Sequence, residues 1–485
     1  MLKFRFYENL LKNIDKIKID SKKAADDIGI PSELRGNIGL SATGSPRPPI
    51  LKNSIIKAVT DAARKPMALR SLVDEIREIV KSYYGDEYDV APTNSCESAL
   101  DVCYESLIKP TKLGIGASPA RCITPYELHM GHHQCSYGIP FQPKYKDIFA
   151  EEGVTSGELG LLGRRKDNVE IIFVKPVGAE YPCHGIKYFP VRLLSKIDPE
   201  KSIKKMRDIA DKHLPYLAAI VSLGYDSPGF GHGPRDEEGN PLFQKLMGEM
   251  ANDYDIIYLN DNAKGIPFIG GDIRKLNADV MTYSMDKVAG ATISGLIIGK
   301  EEPMIAVRRM MGFHSERQGT ISAYGKTLGT YYDPGREGLL SQIATLNEIL
   351  KNPESFKKPV DDLFDIVTEE FKSLNDQYND CFEIFKSYNM ATVEVNYAKS
   401  WETCDPGVPM FPLHDSVTGH NLINVCLSQM GIVTLGCHDA NMTINPGHGT
   451  TDENGQLLEK ETRYAVKALV RAVEILCKYA GVKVK

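Results

Sequence analysis

Tryptophan occurs once in this chain of 485 residues, and none of its ten cysteines stands in a CxxC pair. At about two cysteines per hundred residues there is no disulfide scaffold, so the expectation is free thiols in a reducing cytoplasmic compartment. Long apolar runs are missing as well. No stretch approaches the roughly 18 uninterrupted apolar residues of a membrane span. The opening MLKFRFYENLLKNIDKIKID is broken by charge every few positions, unlike a secretory leader. Nor is there a surplus of positive charge, with 58 Lys and Arg against 64 Asp and Glu and a formal charge of −6. A general nucleic-acid surface would carry a basic footprint. Lysines near both ends leave a local patch, and hence a tRNA, open.

What is present is ordinary globular composition, 42% hydrophobic and 25% charged, in a length that suits two or three domains. A helix-like region runs to about residue 28. The Gly/Pro-rich passage Gly36–Ile50 follows and reads as a long functional loop. Residues 51–83 return to helical spacing, with Ile55, Ile56, Val59, Leu69, Leu72, Val73, Ile76 and Ile79 on the apolar faces. From about 90 to 335, short apolar runs alternate with helical ones: VEIIFV (169–174), LAAIVSL (217–223), DIIYLN (255–260), DVMTY (279–283) and SGLIIG (294–299). Near-continuous apolar strands separated by helices predict an α/β sheet covered on both faces. A helical stretch (337–379), strand-like TVEVNY (392–397) and GIVTLG (431–436) and a closing helix predict a small C-terminal α+β domain. The expected organisation is an N-terminal segment (1–85), a large α/β domain (86–335, with an insertion about 145–205), and a connecting helix plus small domain (336–485).

The chemistry gathers at strand ends. Asp261 follows an apolar strand at the edge where α/β sheets bind ligands. Twenty-six residues on, Lys287 stands between two strands and is trailed by Ala289, Gly290 and Ala291. A lone strand-end lysine is also an ordinary loop cation; paired with Asp261 it suits pyridoxal 5'-phosphate (PLP). That cofactor needs an amine for its aldehyde and a carboxylate against its ring nitrogen. The run APTNSCESALDVCYESLI (91–108) leads from Asn94, Ser95 and Cys96 into a helix, which offers either an anion site or a plain N-cap. In ELHMGHHQCSYG (127–138), His133 and then His129 are candidates to stack on a cofactor ring. His129, His132, His133 and Cys135 are also metal-ligand types, but no partner motif stands elsewhere, so no metal is expected. The loop SLGYDSPGFGHG (222–233) offers Asp226, Ser227 and His232 as pocket residues.

The order of small-residue loop into helix, strand-Asp, then S-x-x-K with trailing glycine resembles the fold type I PLP-dependent enzymes, the aspartate aminotransferase-like superfamily. The segment SMDKVAGATISGLIIGKEEPM (284–304) is most similar to the selenocysteine synthase (L-seryl-tRNA(Sec) selenium transferase) and ammonia-lyase group. The resemblance implies a large domain with a mainly parallel sheet sandwiched by helices and a small C-terminal α+β domain. It implies Lys287 as the Schiff-base lysine, Asp261 at the pyridine nitrogen, and Ser284 with Asn94, Ser95 and Cys96 at the phosphate. It also implies that Gly319 and Thr320 reach a neighbouring subunit's phosphate, hence a homodimer or larger homo-oligomer.

One departure bears on the reaction. Aminotransferases of the aspartate type clamp the substrate carboxylate with a small-domain arginine, the natural bidentate partner, yet no arginine lies between Arg336 and Arg463. That task falls to Arg47, Arg317, Arg336, Arg463 or another group. The expectation is an amino-acid substrate and elimination or replacement at its β-carbon. Transamination, decarboxylation and a non-catalytic PLP-fold binding protein stand as the alternatives.

Overall fold

The computed structural model describes residues 9–10, 12–41, 49–108, 121–126, 187–192, 198–215, 217–224, 226, 234–311, 332–397, 399–409, 422–433, 436–438 and 441–485. Its centre is a seven-stranded sheet of β1 (Tyr88–Thr93), β2 (Arg121–Tyr126), β3 (Lys187–Arg192), β4 (Leu217–Leu223), β5 (Ile257–Asp261), β6 (Val280–Ser284) and β7 (Gly295–Lys300). The spatial order is β1-β7-β6-β5-β4-β2-β3. Only β7 runs antiparallel, against both β1 and β6. The run 169–174 lies outside the described residues, as does most of the expected insertion.

The sheet is buried on both faces because its strands carry apolar side chains at odd and even positions alike. Val90, Ile220, Tyr258, Met281 and Ile298 join one core. Their strand neighbours Ala91, Val221, Leu259, Val280 and Ile297 join another, with Ala99, Leu100 and Val102 of the helix Cys96–Cys103. The first face is covered by the helix Leu69–Tyr84, whose Leu72, Val73, Ile76, Val80 and Tyr84 fall on one stripe.

A second, antiparallel sheet is built from β8 (Glu383–Ser387), β9 (Thr392–Asn396), β10 (Gly436–His438) and β11 (Asn441–Ile444), in the order β10-β11-β9-β8. The helices Glu354–Glu370 and Glu459–Ala480 join its core. The N-terminal helix Ile14–Ile28 packs here too, against Glu459–Ala480 and Leu422–Gln429, whereas Leu69–Tyr84 belongs to the large sheet.

Three details depart from the sequence reading. The stretch 337–379 is three helices, Arg336–Lys351, Glu354–Glu370 and Lys372–Gln377. The first break falls at Asn352, where the following Pro353 disfavours helical backbone. Of the run 431–436, Ile432–Val433 pairs in parallel with Ile38–Gly39 inside the Gly/Pro passage, while Gly436 opens β10 of the antiparallel sheet. Part of that passage is therefore sheet, joined by backbone hydrogen bonds that need no apolar alternation to form.

Candidate active site

Strand register gathers the chemistry at one edge. Asp261, the last residue of β5, lies alongside Leu223 on one neighbour and Thr282 on the other. Further along the edge, Gly295 lies alongside both Ser284 and Thr93. A side chain at Gly295 would strike the Ser95 backbone, so its absence lets the strand-to-helix turn at 93–95 close onto the sheet. Residues about 200 positions apart in sequence thus meet.

Asp261 is 1% exposed. Its side chain shares a face with Leu259, the face covered by the Cys96–Cys103 helix. Burial pushes its carboxyl up to about 6, while the positive charge of Lys287 and the Ala263 N–H, donating at 3.1 Å, pull the other way without cancelling it. Lys287 is half-buried in the turn after β6. Its N–H donates to the Ser284 carbonyl (3.3 Å) and its carbonyl accepts from Gly290 N–H (3.0 Å). Gly290 has φ +75°, backbone that suits glycine. The helix Arg336–Lys351 braces this loop, since Ser341 Oγ accepts from Thr292 N–H (2.9 Å) and Gln342 Nε2 donates to the Gly295 carbonyl (2.9 Å).

At the expected phosphate loop, Ser95 is the N-cap: its Oγ accepts from Ser98 N–H at 3.0 Å and lies 2.9 Å from Ser98 Oγ. Ser98 Oγ in turn donates to Asn94 Oδ1 (2.5 Å). Cap and anion-site readings therefore fall on the same residues. Cys96 is buried, and its thiol is raised by that burial first and by the Asp261 charge second. It lies against the Asp261–Lys287 pair, but its burial makes it a poor nucleophile. Ser284 Oγ donates to Asp286 Oδ1 at 2.8 Å, which leaves Asp286 Oδ2 buried without a hydrogen-bond partner.

Other candidates are placed elsewhere or lie outside the described residues. Asp226 accepts from Ser387 Oγ of β8 at 2.5 Å and sits 3.6 Å from Arg235, so it ties the loop after β4 to the small sheet. Arg336 is 2.6 Å from Glu337, and Arg463 contacts Glu459, Glu369 and Glu370. Arg47, His129, His132, His133, Cys135, Ser227, His232, Arg317, Gly319 and Thr320 lie outside the described residues.

The sequence reading passed over Lys264, three residues past Asp261. It is 8% exposed, and burial first, then the charge of Lys287, brings its ammonium down to about 7. The signal was present in DNAKG, a lysine on a loop between buried strands. Asn262 and Asn389 were missed as well. They exchange hydrogen bonds at 3.0 and 3.1 Å, joining the end of β5 to the turn between β8 and β9.

No protein-family model matches the chain, and no curated protein matches its sequence. Among solved structures, a SepCysS–SepCysE N-terminal domain complex aligns with a TM-score of 0.51 at 12% identity, over 92% of this chain and 97% of that one. Ureidoglycine–glyoxylate aminotransferase from Bacillus subtilis gives 0.48 at 11% identity, over 90% and 98%, and cysteine desulfurase from Thermococcus onnurineus NA1 gives 0.47 at 13%, over 88% and 95%. The architecture is the PLP-dependent transferase-like fold, fold type I.

The residues present suit that cofactor. A buried carboxyl at one strand end and an amine at the next are the donor set it needs, and serine hydroxyls stand at a helix N-terminus along the same edge. Among the described residues no cluster of His, Cys, Asp or Glu could hold a metal ion, and no helix is long and apolar enough to cross a membrane.

Proposed function

We propose that this chain is a PLP-dependent enzyme that removes or replaces a β-substituent of an amino acid, with Lys287 as the cofactor's anchor. The observation that carries this reading is the buried Asp261 facing Lys287 across adjacent strand ends. When bound, PLP supplies an electron sink that makes the α-proton of an amino acid removable. Asp261, as the carboxylate, would hold the proton on the ring nitrogen, an ion pair that the low dielectric of its buried site strengthens. Lys287, displaced by the substrate amine, would take the α-proton and return one to the leaving group. Asn94, Ser95, Cys96 and Ser284 would hold the phosphate end, Ser284 by turning from Asp286. Ser227 and a ring from His133 or His129 would complete the pocket.

Elimination is favoured over transamination by the missing small-domain arginine and by the likeness of segment 284–304 to the selenocysteine synthase and ammonia-lyase group. Arg47, Arg317 and Arg336 are the clamp candidates, and Arg463 is already held by three glutamates. The same reading makes the enzyme a cytoplasmic homodimer, with Thr320 serving the neighbour's phosphate.

The test is reconstitution with PLP. A visible absorbance band should form and be lost in Lys287→Ala. β-Substituted amino acids should then yield keto acid, ammonia and the free β-group. Absence of the band in wild-type protein overturns the reading; stoichiometric amination of the cofactor replaces elimination with transamination.

A further inference from the structure

Thr282 breaks the pattern of the strand that carries it. β6 lies between β5 and β7 with every position buried, and strands so placed are filled with apolar side chains. Thr282 is 0% exposed, and its Oγ1 finds no hydrogen-bond partner among the described residues. A buried hydroxyl left in that state costs stability that a valine of nearly the same shape would not.

Strand register shows what this hydroxyl can reach. Side chains two apart on a strand share a face, so Thr282 stands with Val280 on the face covered by the Cys96–Cys103 helix. Its neighbour there on β7 is Ile297, and its neighbour on β5 is Asp261. Ile297 accepts nothing. Nor do Ala99, Leu100 and Val102 of the covering helix, and the buried thiols of Cys96 and Cys103 are weak sulfur acceptors. Paired strands lie about 4.8 Å apart, a gap that a threonine and an aspartate side chain close between them by changing rotamer. Register thus sets one strong acceptor, the Asp261 carboxylate, beside an unpartnered hydroxyl. Ala263 N–H already holds Asp261 Oδ1 at 3.1 Å.

We infer that Thr282 is a positioning residue for Asp261: its hydroxyl is the donor that fixes the carboxylate in the orientation that serves the cofactor's ring nitrogen. The inference rests on the reading that Asp261 holds that nitrogen's proton. A hydroxyl bonds an ionised acceptor about twice as strongly as a neutral one. Thr282 therefore favours the charged form of Asp261, and with Ala263 N–H it leaves the side chain little freedom to turn away.

The test titrates the whole chain with PLP, followed by the visible band, and adds urea unfolding of the cofactor-free protein. Thr282→Val keeps the shape and deletes the hydroxyl; Thr282→Ser keeps the hydroxyl and deletes a methyl. Thr282→Val should weaken PLP binding about tenfold, the size of a hydrogen bond to a charged group. Its cofactor-free form should unfold at the wild-type urea midpoint or above it. Thr282→Ser should bind PLP like the wild type, although it unfolds earlier. Asp261→Ala should itself weaken binding, and adding Thr282→Val to it should weaken binding no further. Unchanged binding in Thr282→Val, or a valine effect of equal size with and without Asp261, overturns the inference. A serine variant that binds as poorly as valine assigns Thr282 to packing and overturns it too, as does a lower urea midpoint in Thr282→Val, which would mean that the hydroxyl is already engaged. A wild-type protein without the band, or Asp261→Ala protein that binds PLP unimpaired, overturns the reading of Asp261 and this inference with it.

Discussion

Two aspartates are buried in the same sheet, Asp89 near the start of β1 and Asp261 at the end of β5, 2% and 1% exposed. Because β1 and β5 run the same way, the two sit at opposite edges. Burial works against both carboxylates, and the outcomes are opposite. At Asp89 it is outweighed: Arg77 donates twice at 2.9 Å, Arg308 donates at 2.7 Å and Val90 N–H at 2.8 Å, so the carboxyl lies below its usual range. At Asp261 the charge of Lys287 and the Ala263 N–H fall short of offsetting burial, and the carboxyl rises to about 6. An aspartate fitted with a full set of donors is finished as structure. One whose burial prevails over its partners is suited to something else, and the end of the sheet where strands point is where that occurs.

The comparison can be broken at its structural edge first. Arg308→Met leaves Asp89 buried with one cation fewer and should cost about 3–5 kcal/mol in urea unfolding. A loss under about 1 kcal/mol would mean that Arg77 alone satisfies the carboxylate.

At the other edge the sign reverses. The folded-state value of Asp261 lies above its unfolded value near 3.8, so stability is lost as pH rises through that window to about 6. Asp261→Asn should therefore stabilise the cofactor-free chain at pH 8 by roughly 3 kcal/mol. The gain should vanish toward pH 4, while activity with PLP is lost. A uniform gain at all pH values would remove the titration from the explanation.

Smaller effects sharpen the picture. Ser95→Ala deletes the cap of the Cys96–Cys103 helix and should cost about 1 kcal/mol; a parallel drop in PLP affinity would show that cap and anion site are one. Arg336→Ala breaks a largely exposed pair with Glu337 and should change stability by less than about 0.5 kcal/mol. A rise in KM for the amino acid in that variant would single it out from Arg47 and Arg317 as the carboxylate clamp.

Much of this site was legible in the chain. β4 to β7 announced themselves because strands buried on two faces are apolar at every position, and that placed Asp261 and Lys287 at strand ends before any coordinates. Lys264 was harder, because a lysine in a loop is ordinarily solvated, and nothing local says that the loop will be buried and tied to Asn389. Arg308 gave no local signal either. On a helix with Arg309 beside it it reads as surface charge, and only packing against β1 makes it 2% exposed.

By itself the sequence determined the alternation of strands and helices and the strand-end positions of Asp261 and Lys287, since periodicity and turn residues are properties of a few neighbouring positions. Only the tertiary structure decided which strands adjoin, that Gly295 lies between Ser284 and Thr93, and that Lys264 is buried. Those facts depend on register and on burial, which sum the contributions of segments hundreds of residues apart. The opposite ionisation of two like aspartates follows from the same cause: a carboxyl's environment is made by what folds against it.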